Sequence, residues 1–243
     1  MESIREIFRI GYGPSSSHTM GPRKASELFL KDNIDAKHFE ITLYGSLAAT
    51  GKGHLTDKAI LDVLGRERTK IHWKSDIFLD LHPNAMMFES FDESGNLMQK
   101  RTMYSIGGGK VIEEDSNLGL EIKEVYPHHN LTEILNYIDE NGLTFWEYVQ
   151  EFESKEIWDY LTEVLQVMKK SVEDGLNEEG VLPGGLCLRR KAMSYYTKAR
   201  SYKPSLKGRC LVQAYALAVS EQNASGGKIV TAPTCGSCGI VPA

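Results

Sequence analysis

The sequence predicts an α+β N-terminal part followed by an all-α part, and three observations carry that prediction. In the first ~125 residues, short β-branched and aromatic runs alternate with helical stretches between turn signals. Past Tyr126-Pro127-His128-His129 the strand pattern gives way to apolar residues spaced by three and four. Helices mixed with antiparallel strands in one stretch suggest an α+β sandwich. A cut near residue 130 divides the chain into 1–130 and 131–243, and the second part reads as an incomplete helical domain.

The elements follow in order. Residues 39–45 (FEITLYG) read as a strand by their β-branched and aromatic alternation. Residues 77–81 and 86–91 read as further strands, and 97–104 pairs with the latter across the Asp92-Glu93-Ser94-Gly95 turn. Residues 22–31 and 56–64 read as helices between them. In the second part 132–141 and 144–176 read as helices, the latter from Phe145, Val149, Phe152, Trp158, Leu161, Leu165 and Met168. A loop around Leu182-Pro183-Gly184-Gly185 leads to a short basic helix at 189–200. The Ala-rich run 206–219 reads as a helix buried on most sides.

Composition narrows the function classes. Of 243 residues, 41 % are hydrophobic and 25 % charged, as in an ordinary globular protein. The formal charge of −5 leaves no basic footprint for nucleic acid. Apolar runs stop far below the ~20 residues that span a bilayer, and the charged start lacks the apolar core of an export signal. The four cysteines (Cys187, Cys210, Cys235, Cys238) therefore read as reduced thiols in a cytoplasm.

Four segments have the residue types of a chemical site. In Gly13-Pro14-Ser15-Ser16-Ser17-His18-Thr19-Met20-Gly21-Pro22, three hydroxyls, a His and a Thr stand before a helix that Pro22 can open. Free amides at a helix start suit a carboxylate, and His18 beside it suits proton transfer. A cap needs one Ser, so the surplus favours function over capping. Tyr44-Gly45-Ser46-Leu47 with Thr50-Gly51-Lys52-Gly53-His54 is compatible with anion contact but lacks Walker spacing. For His54 a structural role and a catalytic one weigh equally. Tyr104-Ser105-Ile106-Gly107-Gly108-Gly109 marks a sharp turn or a close backbone approach, with a plain hairpin an equal alternative. In the fourth segment, residues 223–239, Cys235 and Cys238 form a Cys-x-x-Cys pair. Its helical surroundings and lack of further paired ligands favour an active-site floor over redox or zinc use.

Taken together, GPSSSHTMGP, YGSLAATGKGH, YSIGGG, the 179–184 loop and the ASGGKIVTAPT segment resemble the iron–sulfur-dependent L-serine dehydratases (L-serine ammonia-lyases) from end to end. The resemblance implies β-elimination of water from L-serine to give pyruvate and ammonia, with a [4Fe-4S] cluster as Lewis acid. It implies His18 and Ser105 as catalytic residues. Ser16, Ser17, Thr19 and Thr234 would bind substrate. The family's cluster cysteines are expected beyond residue 243, so no metal ligand is assigned here and these residues alone should not turn over serine. The chain is read as a fragment, and the family often forms homodimers. Cys235 stands where many members carry Asn, and a thiol cannot donate and accept as an amide does. A cysteine desulfidase of the same fold, a non-catalytic serine-binding module and a zinc or disulfide Cys-x-x-Cys protein are the other readings.

Overall fold

The computed structural model describes residues 1–114 and 124–243. β1 (Ile10–Tyr12) leads into one π-type turn, Ser16–Met20, and then α1 (Gly21–Asp32). β2 (His38–Tyr44), α2 (Gly45–Thr50), α3 (Thr56–Leu64) and β3 (Thr69–Lys74) follow, then β4 (Ala85–Phe91), β5 (Leu97–Gly107) and β6 (Lys110–Glu113). The sheet order is β3-β2-β4-β5-β6, parallel between β2 and β3 and antiparallel elsewhere. On one face Phe39, Ile41 and Leu43 of β2 are buried under Ala25 and Phe29 of α1 and Ile60 and Leu64 of α3. That period-two alternation is what a half-covered strand requires. The β4–β5 turn forms as expected, with Asp92 Oδ1 accepting from Ser94 N at 2.9 Å and Asn96 N at 2.8 Å. Gly107, Gly108 and Gly109 all have positive φ and make the sharp β5–β6 turn.

The helical part comprises α4 (Leu131–Asn141), α5 (Phe145–Phe152), α6 (Ile157–Asn177), α7 (Ala192–Arg200) and α8 (Pro204–Ala224), then β7 (Lys228–Val230). β7 pairs antiparallel with β1, Ile10 opposite Val230 and Tyr12 opposite Lys228. The first and last of the described strands are therefore joined, although 215 residues lie between Tyr12 and Lys228. Buried Thr231 reinforces the join, accepting from Arg9 N at 3.0 Å and donating to Ile7 O at 3.0 Å. The helices α6 and α8 cross closely at Gly175, where a Cβ would lie 2.2 Å from Ala218 O.

Three expectations need correction. Residues 77–81 are a loop, and β3 lies earlier, at Thr69–Lys74. Of the apolar side chains there only Leu79 joins the core, beside Tyr44 and Tyr104; Phe78, though largely exposed, lies against Gly45, which at φ +47° has no Cβ to obstruct it. The expected single helix over 144–176 breaks at Glu153, which turns extended. Its carboxylate there accepts from Ser3 Oγ at 2.7 Å, Ile4 N at 3.0 Å and Tyr126 Oη at 2.7 Å. Tertiary anchoring outweighs one more helical turn. Finally, α8 is buried only in its C-terminal half, at Ala214, Ala218 and Val219. Its first turns are largely exposed, with Leu206 54 % and Val212 50 % exposed.

Candidate active site

The π-type turn builds the site. Ser15 caps it, its Oγ accepting from His18 N at 3.1 Å. The wide turn places the His18 ring against the start of α2, and such turns recur at functional sites. Ser17 Oγ lies 3.0 Å from His18 Nδ1, and Ser46 Oγ lies 3.1 Å from Nε2. A neutral imidazole holds one hydrogen, so one hydroxyl accepts from the ring and the other donates to it. The His54 ring centroid is 4.8 Å away. Its Nδ1 is 3.1 Å from Thr50 O, which only accepts, so Nδ1 carries a hydrogen. Burial first, and the neighbouring His54 second, hold the His18 pKa below its ordinary value. The ring is therefore neutral near pH 7 and able to take a proton.

The other predicted residues take different stations. Ser16 is half-buried, and its hydroxyl has no hydrogen-bond partner among the described residues. Thr19 is buried; its Oγ1 donates to His54 O at 2.6 Å and accepts from Ser15 N at 3.2 Å, which locks the turn to the α2–α3 connection. Ser105 is also buried and donates to Ser17 O at 2.7 Å. It lies so close to α1 that a Cβ on Gly21 would sit 2.0 Å from its Oγ. Thr234 is exposed, 3.3 Å from Ser237 Oγ, and among the described residues no hydrogen bond joins it to the Ser16–Met20 turn. Cys235 points inward, its Sγ 3.5 Å from Met20 Sδ, in a cluster with Val219, Ile229 and Cys238. Its thiol therefore supports the floor beneath the turn.

Ser46 and Asn223 lie inside segments the sequence singles out but are given no role there, and Thr56 directly follows one of them. Thr56 Oγ1 donates to His18 O, and Asn223 Nδ2 donates to Pro14 O at 3.3 Å. Gly13 N donates to Gly227 O at 3.1 Å, and Gly226 lies against Leu55. The first, second and fourth motifs thus meet at one junction. The only available signal was that each sits beside a glycine-spaced turn.

An imidazole between two hydroxyls, at a junction that Asn223 of the helical part also reaches, has the groups needed to exchange a proton with a small molecule. The family model described as serine dehydratase beta chain matches residues 3–68, and that described as serine dehydratase alpha chain matches 56–243. The chain belongs to the serine dehydratase family. It is 35 % identical to the L-serine dehydratase of Haemophilus influenzae and 33 % identical to L-serine dehydratase 1 of Escherichia coli, in each case over 100 % of this chain and 65 % of the relative. To the L-serine dehydratase of Streptomyces coelicolor it is 34 % identical, over 99 % of this chain and 64 % of that one. The chain thus spans 65 % or less of the length of these three relatives. The first match runs over 298 residues against the chain's 243, so that relative carries internal segments this chain lacks.

An iron–sulfur cluster does not fit the described residues. Cys235 and Cys238 are packed in an apolar cluster with Met20, Val219 and Ile229, and burial there raises their thiols to about 12 and about 11. Cys187 is exposed and Cys210 half-buried, and among the described residues no three His, Cys, Asp or Glu side chains gather to hold a metal ion. No described helix is long and apolar enough to cross a membrane.

Proposed function

We propose that this chain is the substrate-binding portion of an L-serine dehydratase, which removes water from L-serine and yields pyruvate and ammonia. In that reaction the Cα–H electrons form the Cα=Cβ bond as the β-hydroxyl leaves with a proton as water. The aminoacrylate tautomerises to an imine, and water hydrolyses it to pyruvate and ammonia. The observation that carries the reading is the neutral His18 ring between Ser17 and Ser46, with His54 beside it. His18 is the proton-handling group, and its two hydroxyl neighbours fix the ring plane. The Ser16 hydroxyl, with no partner among the described residues, meets the substrate carboxylate or amine together with Ser17. Thr19 and Ser105 hold the turn in place from beneath. Thr234 completes the wall from the helical side.

The same reading places the ligands of a [4Fe-4S] cluster outside residues 1–243. It includes a homodimer, from the family resemblance, and a cytoplasmic location and the cut near residue 130, both from the residue pattern of the sequence. The names of the relatives support serine over cysteine as substrate. Replacing His18 by Ala in the protein expressed from its whole reading frame tests the assignment. Loss of serine turnover with the fold intact is expected, and unchanged turnover would remove His18 from the mechanism.

A further inference from the structure

One charged group outside the His18 cluster is more deeply buried than its partners explain. Arg190 follows the 179–189 loop, and its side chain is only 7 % exposed. Its Nη2 donates to Ser225 Oγ at 2.7 Å and lies 2.6 Å from Glu178 Oε2 in an ion pair. Nη1 is buried with no partner among the described residues. A buried donor left unpaired is uncommon and costly, more so on a charged group. Buried Gln222 Nε2, three residues before Ser225, is a second orphan donor beside it in sequence.

Glu178 is the reverse case. Its side chain is 51 % exposed, and its closest approach to the guanidinium is at Nη2, away from the unpartnered Nη1. A carboxylate on an Arg edge gains most when it spans two nitrogens. Exchanging Glu178 for a free carboxylate would fill Nη1 while leaving the buried charge balance unchanged. The location suits this exchange. Ser225 opens the Ser225-Gly226-Gly227 turn, which contacts Leu55 next to His54 and accepts the Gly13 amide at the start of the histidine turn.

We propose that Arg190 is a carboxylate anchor for the amino-acid substrate, with Glu178 standing in for that carboxylate until it is displaced. The proposal rests on the serine dehydratase reading for the identity of the ligand. It assigns Arg190 to ground-state binding and leaves the proton transfer to other groups.

The test is calorimetric titration of the protein with L-serine and with L-serinamide, which lacks the carboxylate. The unaltered protein should bind L-serine at least about tenfold more tightly than the amide, as expected for a charge-assisted hydrogen-bond pair. Arg190→Gln should abolish the preference, and Arg190→Lys should restore part of it. Glu178→Gln, a change at an exposed position that leaves the fold intact, should tighten L-serine binding roughly threefold by removing the competitor. A merely structural Glu178–Arg190 pair would give the opposite sign. The proposal is overturned if Arg190→Gln retains the preference, if Glu178→Gln weakens binding, or if the unaltered protein does not bind L-serine. Pyruvate release is measured separately: turnover without an Arg190-dependent preference sinks the anchor alone. An Arg190-dependent preference without turnover sinks the reaction alone.

Discussion

His18 and Ser46, 28 residues apart, lie 3.1 Å from each other through Nε2 and Oγ, and this contact joins the wide turn before α1 to the first turn of α2. A segment read as a decorated helix start and one read as a glycine-spaced turn suited to anion contact become one site through that contact. Ser17 on the other ring nitrogen and His54 alongside complete a cluster in which a neutral imidazole is the favoured state.

The His18 titration provides the first prediction. Its pKa in the folded protein is depressed by burial and then by His54. Below the ordinary value of 6.5 the unfolded chain accepts a proton that the folded ring resists. The contribution of His18 to stability is therefore present above that value and declines as pH falls below it. His54→Ala should move the folded pKa upward toward the ordinary value, read from the imidazole carbon-bound protons by NMR. A pKa that stays put or falls would show that His54 exerts no such field.

Gly21→Ala should destabilise the fold by about 1–3 kcal/mol through overpacking. A Cβ there would meet Ser105 Oγ at 2.0 Å and Ser105 Cβ at 2.7 Å. Chemical denaturation measures the loss, and adding Ser105→Gly should recover part of it. If the double variant is no more stable than the single one, the close approach of α1 to β5 is not the cause.

Thiol chemistry separates the cysteines. Cys187 is exposed, whereas Cys235 and Cys238 are buried with thiols raised to about 12 and about 11. In the native protein at pH 7 an alkylating reagent followed by mass spectrometry should mark Cys187 first. Cys235 and Cys238 should react only on unfolding. Rapid labelling of the Cys-x-x-Cys pair would contradict its place in the core beneath Met20.

Thr231→Val should cost about 1–3 kcal/mol, because it leaves the Arg9 amide and the Ile7 carbonyl without their buried partner. Amide exchange of β1 should accelerate along with it, since the residue ties the first strand to the last. Unchanged protection at Ile10 and Tyr12 would show that the β1–β7 pairing stands without that hydroxyl.

Legibility in the sequence follows from how local each signal is. The helix Thr56–Leu64 was readable to the residue, because its period and the following Gly65 are both local. Strand β3, with alternate polar residues and a parallel partner, gave a weaker pattern than the run 77–81, which the fold leaves as a largely exposed loop with only Leu79 packed inward. β1 and β7 are three residues each and form only because the chain ends meet, so no window of sequence reveals them. The hydroxyls and histidine of GPSSSHT were conspicuous. Ser46 was not, since its role depends on where α2 begins in space.

The most direct test of the account is pyruvate release from L-serine by the protein expressed from its whole reading frame, assayed anaerobically with and without added iron and sulfide. The account predicts iron-dependent turnover of L-serine that His18→Ala abolishes. A protein with a properly reconstituted cluster that releases no pyruvate from L-serine would contradict it.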